Sequence, residues 1–170
     1  MNWSRFLRIL FTLLGNTVLS VCIPRHKVTA LAIGQDIQSI SNYRLALKHD
    51  PNPFAVMSYI SLILKNNTIA GLKFPADYGS GVEWVEGLIN EFDGSSIQLG
   101  LWISDSYGSI AIGKYNKSLQ IFSNYIKQSD RDFYLRIGYE FDSVVNNLDP
   151  ALYRAAFRYI VKYFRKANVS

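Results

Sequence analysis

Cysteine is almost missing from this 170-residue chain: Cys22 stands alone, so no internal disulfide can hold the fold. Histidine is nearly as scarce. His26 and His49 lie far apart, one in the N-terminal segment and one beside a proline-containing turn, without ligand spacing. The sequence therefore implies no metal and no cofactor. Neither G-x-G-x-x-G nor G-x-x-x-x-G-K-[ST] follows any strand-like run, which counts against the nucleotide-binding open sheets. There is no low-complexity tract and no short repeat. What is present, 49% hydrophobic and 18% charged residues, suits one domain with a real core and not a disordered chain.

The formal charge of +5 invites a nucleic-acid reading, but the excess is badly distributed. Residues 1–27 hold Arg5, Arg8, Arg25 and Lys27 and no acid, leaving 14 basic against 13 acidic residues in the rest. No nucleic-acid partner is expected on that balance. In the leader, two arginines precede an apolar run from Ile9 to about Val21, broken by Gly15 and Asn16. A positive stretch before a short apolar one reads as a secretory signal. A membrane span needs roughly 20 residues, so an uncleaved anchor over residues 9–23 is the alternative, and with it the only expected membrane contact. Leu19-Ser20-Val21 before Cys22 fits a lipoprotein box poorly, because that box wants a small residue where Val21 sits. The expected organisation is a signal or anchor over 1–27, an exported location, and one domain over 28–170. Sequons at Asn66, Asn116 and Asn168 matter only in a host that glycosylates secreted proteins.

Beyond the leader, two kinds of segment alternate. Strand-like runs occupy residues 28–36, 54–62, 96–104 and 132–141. Helical spacing follows each: Ile37 to about Lys48, Val82 to about Phe92, Lys114 to Gln128, and a helix to about Ala167. Asp50-Pro51-Asn52-Pro53 and Asp93-Gly94 break the chain between units. Leu119, Phe122, Tyr125 and Ile126 fall on one helical face. Asp149 before Pro150 is a strong helix start. Four βα units whose strands are apolar on both faces predict parallel strands buried on both sides. The fold is then either a small open α/β sheet or the first half of a (β/α)8 TIM barrel.

In such architectures the site gathers at the C-terminal ends of the strands. Those ends carry Gln35 and Asp36, Tyr59 and Ser61, Ser104 and Asp105, and Glu140 and Asp142. Asp36 and Asp105 serve equally well as caps of the next helices, and Asp142 begins a loop. Glu140 is less easily dismissed. A glutamate between Tyr139 and Phe141 at a buried strand end would have its pKa raised, as a general acid requires. The plain alternative is a surface glutamate or a partner for Arg136, which shares its parity along an extended strand. In the last helix Arg154, Arg158, Lys162 and Lys166 recur every four residues, which reads as a solvated face before it reads as a contact for nucleic acid or an anionic membrane. Leu152, Ala156, Tyr159 and Tyr163 fall on a neighbouring face, with Phe157, Ile160, Val161 and Phe164 on the apolar side.

LRIGYEFDS at 135–143, followed by LDPALYRAAFRYIVKYFRKA, resembles the fourth βα unit of glycoside hydrolase family 26. IGQDIQSISNY at 33–43 is similar to that family's first strand and helix, and ADYGSGVEW at 76–84 to the loop entering its second helix. The resemblance covers roughly residues 30–168. It implies a TIM barrel, a polysaccharide or oligosaccharide substrate with β linkages, and Glu140 as the catalytic acid/base. It also makes Gln35, Asp36, Tyr59, Asp77, Tyr78, Trp102, Asp105, Tyr139 and Asp142 candidates for the sugar cleft. Trp102 could equally be a packing residue. The chain departs from the mannan-cleaving pattern: Tyr139 stands where a His is usual, Asp142-Ser143 replaces Asn-Gly, and the VVNN that follows contains no Trp. Retaining glycosidases need a second carboxylate as nucleophile, which the family places on its seventh strand. Four units do not reach that strand, so the expectation is the N-terminal half of a catalytic domain with little activity alone. A non-catalytic glycan-binding relative or an inactive fragment is the alternative.

Overall fold

The structure is a computed structural model that describes residues 30–46, 52–143 and 149–169. The leader with Cys22 and His26, the start of the first strand run, the end of the first helical run, His49, the Asp50-Pro51 break and VVNN lie outside the described residues.

Four parallel strands form the central sheet: β1 (Ala32–Ile33), β2 (Ala55–Ser61), β7 (Ser96–Trp102) and β8 (Phe133–Ile137), neighbouring one another in that order. The first three connections carry helices α1 (Ile37–Ala46), α2 (Val85–Glu91), and α3 (Tyr107–Ala111) with α4 (Asn116–Ser129), and α5 (Pro150–Lys166) follows β8. Between β2 and α2 the chain inserts two small hairpins, β3 (Leu64–Lys65) with β4 (Thr68–Ile69), and β5 (Ala76–Asp77) with β6 (Val82–Glu83).

Strand order equals chain order, and right-handed crossovers then put every connecting helix on one face. Burial agrees. Val56, Ser58 and Ile60 of β2 stand in register with Ile97, Leu99 and Leu101 of β7, and all six are sealed under the helices. Phe133, Leu135 and Ile137 continue these rows on β8. From the helices come Ile40, Val85, Leu88, Ile110, Leu119, Phe122, Ala156, Ile160 and Phe164. Each row of β-branched or leucine side chains that leaves water stabilises by about 1.5–3 kcal/mol per side chain.

The opposite face is not covered among the described residues, which corrects the expectation of strands buried on both sides. Met57, Gln98 and Tyr134 form one row across it, and Tyr59, Gly100 and Arg136 the next. Tyr134 and Arg136 are exposed, and Arg136 donates to Met57 Sδ at 3.4 Å. The apolar content of this face had suggested a second layer of protein, but its half-buried aromatics instead pack on one another.

Element ends also moved. The second helix does not begin at Val82. Val82 and Glu83 pair back onto Ala76 and Asp77, and the helix starts at Val85. The third helical run is preceded by the separate short helix α3. The last strand stops at Ile137, not 141, because Gly138 turns with φ of +69° and its N–H caps Leu101 O at 2.9 Å. The helix start at Asp149 is as expected: its Oδ1 accepts from the N–H groups of Ala151 at 2.8 Å and Leu152 at 3.0 Å. Leu119, Phe122, Tyr125 and Ile126 do face the core, while Arg154, Arg158, Lys162 and Lys166 face solvent. Phe157 departs from its expected place on the apolar side and is exposed beside Tyr153.

Candidate active site

A cleft of about 1040 Å³ opens at the C-terminal ends of β2 and β7, between the sheet and the two inserted hairpins. Its floor is aromatic. Tyr59 and Tyr139 pack with ring centroids 4.8 Å apart, and Tyr139 meets Trp102 at 5.5 Å. That packing needs a gap in β7, which Gly100 provides: a Cβ there would lie 2.4 Å from Tyr59 Cδ1 and 3.0 Å from Tyr139 Cδ1. The wall is supplied by the insertion. Asp77 turns the β5–β6 hairpin, accepting from Gly79 N at 2.7 Å, and Tyr78 donates its hydroxyl to Ala70 O at 2.7 Å. Ile63 and Phe74, 60% and 64% exposed, complete an apolar rim. A surface of flat aromatic rings with a few fixed polar groups suits a ligand that has both C–H faces and hydroxyls. Desolvation pushes the Tyr139 phenol up to about 12, with Glu140 beside it adding to the shift, so the hydroxyl stays protonated and able to donate.

Of the residues singled out from sequence, Tyr59, Asp77, Tyr78, Trp102 and Tyr139 line this cleft together. Gln35, Asp36, Asp105 and Asp142 are not among its lining residues. Asp36 acts as a cap: it accepts from Ser39 N at 3.0 Å and Ser39 Oγ at 2.6 Å, and the Ser39 hydroxyl bond is the main reason its carboxyl lies below the usual range. Gln35, Asp105 and Asp142 are exposed at strand ends or turns.

Glu140 follows Tyr139 directly, but it is exposed and not buried. Gly138 ends the strand two residues earlier, and Glu140 itself sits at φ of +55°, so its parity with Arg136 does not carry across the turn. Asp105, at the end of the adjacent strand, has φ of +60°. Left-handed backbone at a non-glycine residue costs about 1–3 kcal/mol and concentrates at functional sites. Asp105 and Glu140 each follow the C-terminal end of a sheet strand, β7 and β8.

The buried carboxylate is a different residue. Glu83 is 1% exposed, and its Oε2 accepts from Ser58 Oγ at 2.6 Å and Tyr59 N at 3.2 Å. Burial raises its pKa, and the neighbouring Asp36 and Asp77 raise it further, against the opposing pull of the two hydrogen bonds. The sequence reading passed over Glu83 because VEW looked like the opening turn of a helix. One signal pointed the other way: Gly79 and Gly81 bracket a turn, after which period-2 pairing is as natural as helix. Among the described residues, no group of three or more His, Cys, Asp or Glu could hold a metal ion, and no helix is long and apolar enough to cross a membrane.

No family model matches the chain. Proteins similar to it include a β-1,3-xylanase, TXYA, of a Vibrio species and a β-1,3-xylanase of an Alcaligenes species. Each is 26% identical over 136 residues, covering 80% of this chain but 28% of the relative. The chain thus spans little more than a quarter of the length of the relatives it matches. The similarity points to glycoside hydrolases, through xylanases and not through mannanases.

Proposed function

We propose that this chain is a glycoside hydrolase-type domain that takes a β-linked polysaccharide, β-1,3-xylan in the first instance, along the aromatic cleft, with Glu140 as general acid/base. The observation that carries the reading is the convergence of Tyr59, Asp77, Tyr78, Trp102 and Tyr139 on one cleft at the C-terminal edge of a parallel sheet, with Glu140 next in sequence. The sugar follows from the relatives' names, and it agrees with the departures from the mannan-cleaving pattern at Tyr139 and Asp142-Ser143. Two features support a partial (β/α) barrel. The strands run in chain order with no reversal, unlike a doubly wound sheet, and the helix-free face is the one a closed barrel would fill. A leader that exports the chain fits a polymeric substrate.

One observation favours a second reading, glycan binding without hydrolysis. Glu140 is exposed, whereas an acid working near neutral pH gains from desolvation. Reducing-end release from β-1,3-xylan, together with calorimetric binding of β-1,3-xylotetraose, separates the two for wild type and Glu140→Gln. Hydrolysis that falls by roughly 100-fold or more in the variant supports acid/base catalysis. Binding with no hydrolysis in the wild type, and binding that is lost in Glu140→Gln, supports the second reading, in which Glu140 is a contact residue only. Absence of both, with β-1,4-xylan and β-mannan also inert, refutes the glycan assignment.

A further inference from the structure

In a parallel sheet, alternate residues of one strand bond to the same neighbour. Ala55 N donates to Leu31 O, so the odd-numbered N–H groups of β2 point toward β1. But β1 ends at Ile33, in register with Val56, and on that side β2 runs on to Ser61 with no paired strand among the described residues. Tyr59 N is an odd-numbered donor in that stretch. Glu83 takes it. The carboxyl reaches from the β5–β6 hairpin and accepts from Tyr59 N and from Ser58 Oγ, both on the same oxygen.

We propose that Glu83 is a positioning residue of the cleft: it substitutes for the missing end of β1 and fixes Tyr59, and through it Tyr139 and Trp102, while a charge on it, buried with Oε1 unpartnered, draws in water and loosens that floor. Three geometric facts support this. The side chain is 1% exposed, Oε2 already accepts twice, and Oε1 has no partner among the protein atoms described. An ionised carboxylate in that setting would bury an uncompensated charge, whereas a neutral acid leaves Oε2 as the acceptor and places the proton on Oε1. The groups acting on it are Asp36 at the start of α1, Asp77 on β5, and the phenols of Tyr78 and Tyr139. None of these is a cation. Asp36, held low by Ser39, is itself a resident negative charge. The chain of contact to the ligand surface is short, since Tyr59 touches Tyr139 and Tyr139 touches Trp102.

The ligand named in the test rests on the glycan reading, but the conformational readout does not. Binding of β-1,3-xylotetraose and the near-ultraviolet dichroism of the aromatic cluster are measured from about pH 5 to about pH 8 on wild type, Glu83→Gln and Ser58→Ala. The expected result is a wild-type affinity weaker by roughly fivefold or more at the upper pH, with a matching change in dichroism. Glu83→Gln, an uncharged isostere with the same acceptor, should hold both signals flat. Ser58→Ala, which removes one of the donors that stabilise the ionised form, should move the transition to higher pH. If Glu83→Gln titrates as the wild type does, the proposal fails. If no protein binds the sugar at any pH, the glycan reading fails and the dichroism alone decides: a transition confined to chains with Glu83 sustains the positioning role, and one shared by Glu83→Gln ends it.

Discussion

Gly100→Ala is the sharpest probe of the cleft floor, because it adds one carbon and nothing else. The backbone is ordinary strand, so an alanine is conformationally welcome and should gain about 0.5–1 kcal/mol over glycine if space allowed. Space does not allow it. The new Cβ would lie 2.4 Å from Tyr59 Cδ1, 2.7 Å from Cε1 and 3.0 Å from Tyr139 Cδ1. The clash is with the near side of a ring on the adjacent strand, which a terminal rotation cannot relieve. Tyr59 must leave its rotamer, at about 0.5–1.5 kcal/mol, and its contact with Tyr139 is lost or reshaped, at a further 0.5–1.5 or so. Set against the alanine gain, the net is a destabilisation of roughly 0.5–2 kcal/mol. Urea unfolding reads it, and near-ultraviolet dichroism should lose the Tyr59–Tyr139–Trp102 signature while far-ultraviolet dichroism stays unchanged. A variant as stable as wild type with an unchanged aromatic spectrum would show that the rings do not meet over Gly100.

Asp149→Ala removes an oxygen that accepts two N–H groups at the start of α5, and thermal unfolding should report a loss of about 1 kcal/mol. Global stability should carry the mark of Glu83. Its folded pKa is raised, so the folded state holds its proton longer than the unfolded chain does. The contribution is therefore full below the ordinary glutamate range and is lost as pH rises through the higher folded value, which urea midpoints of wild type against Glu83→Gln will show. Arg131→Ala, by contrast, breaks the 2.7 Å pair with Asp93, whose side chain is 95% exposed, and should leave the urea midpoint nearly unchanged in the same assay.

The alternation of strands and helices was legible because burial under the helices imposes a period on the sequence. Val56, Ile60, Ile97, Leu99 and Leu101 on strands, and Leu119, Phe122, Ile160 and Phe164 on helices, announce their faces without any tertiary information. Asp149-Pro150 was legible for a local reason, since a cap and an N1 proline act within one turn. Half the cleft was legible too, as the strand ends at Tyr59 and Trp102. Its other wall was not legible from spacing, and Asp77 and Tyr78 on it were reached only through the family resemblance. The two hairpins between β2 and α2 have two-residue strands, too short for any period to register, and their place is set by tertiary bonds such as Trp84 Nε1 to Lys73 O and Tyr78 to Ala70 O.

The exchange between Glu140 and Glu83 follows from the same distinction. From sequence, a glutamate flanked by Tyr139 and Phe141 looks desolvated, and one flanked by Val82 and Trp84 looks like helix. Flanking residues do not bury a side chain, however; the strand next door does. Glu140 stands past the end of β8, the edge strand of the described sheet, and its flanking rings turn elsewhere: Tyr139 packs inward on Tyr59, and Phe141 stacks on Tyr153 of α5 at 5.1 Å. Glu83 lies where β1 has stopped short, and the unpaired edge of β2 needs an acceptor there. A buried N–H without a partner costs about 1–3 kcal/mol, which is enough to draw in a carboxyl provided it is neutral. The shortness of β1, a property of the sheet as a whole, thus makes Glu83 the buried glutamate, while Glu140, past the end of β8, is exposed.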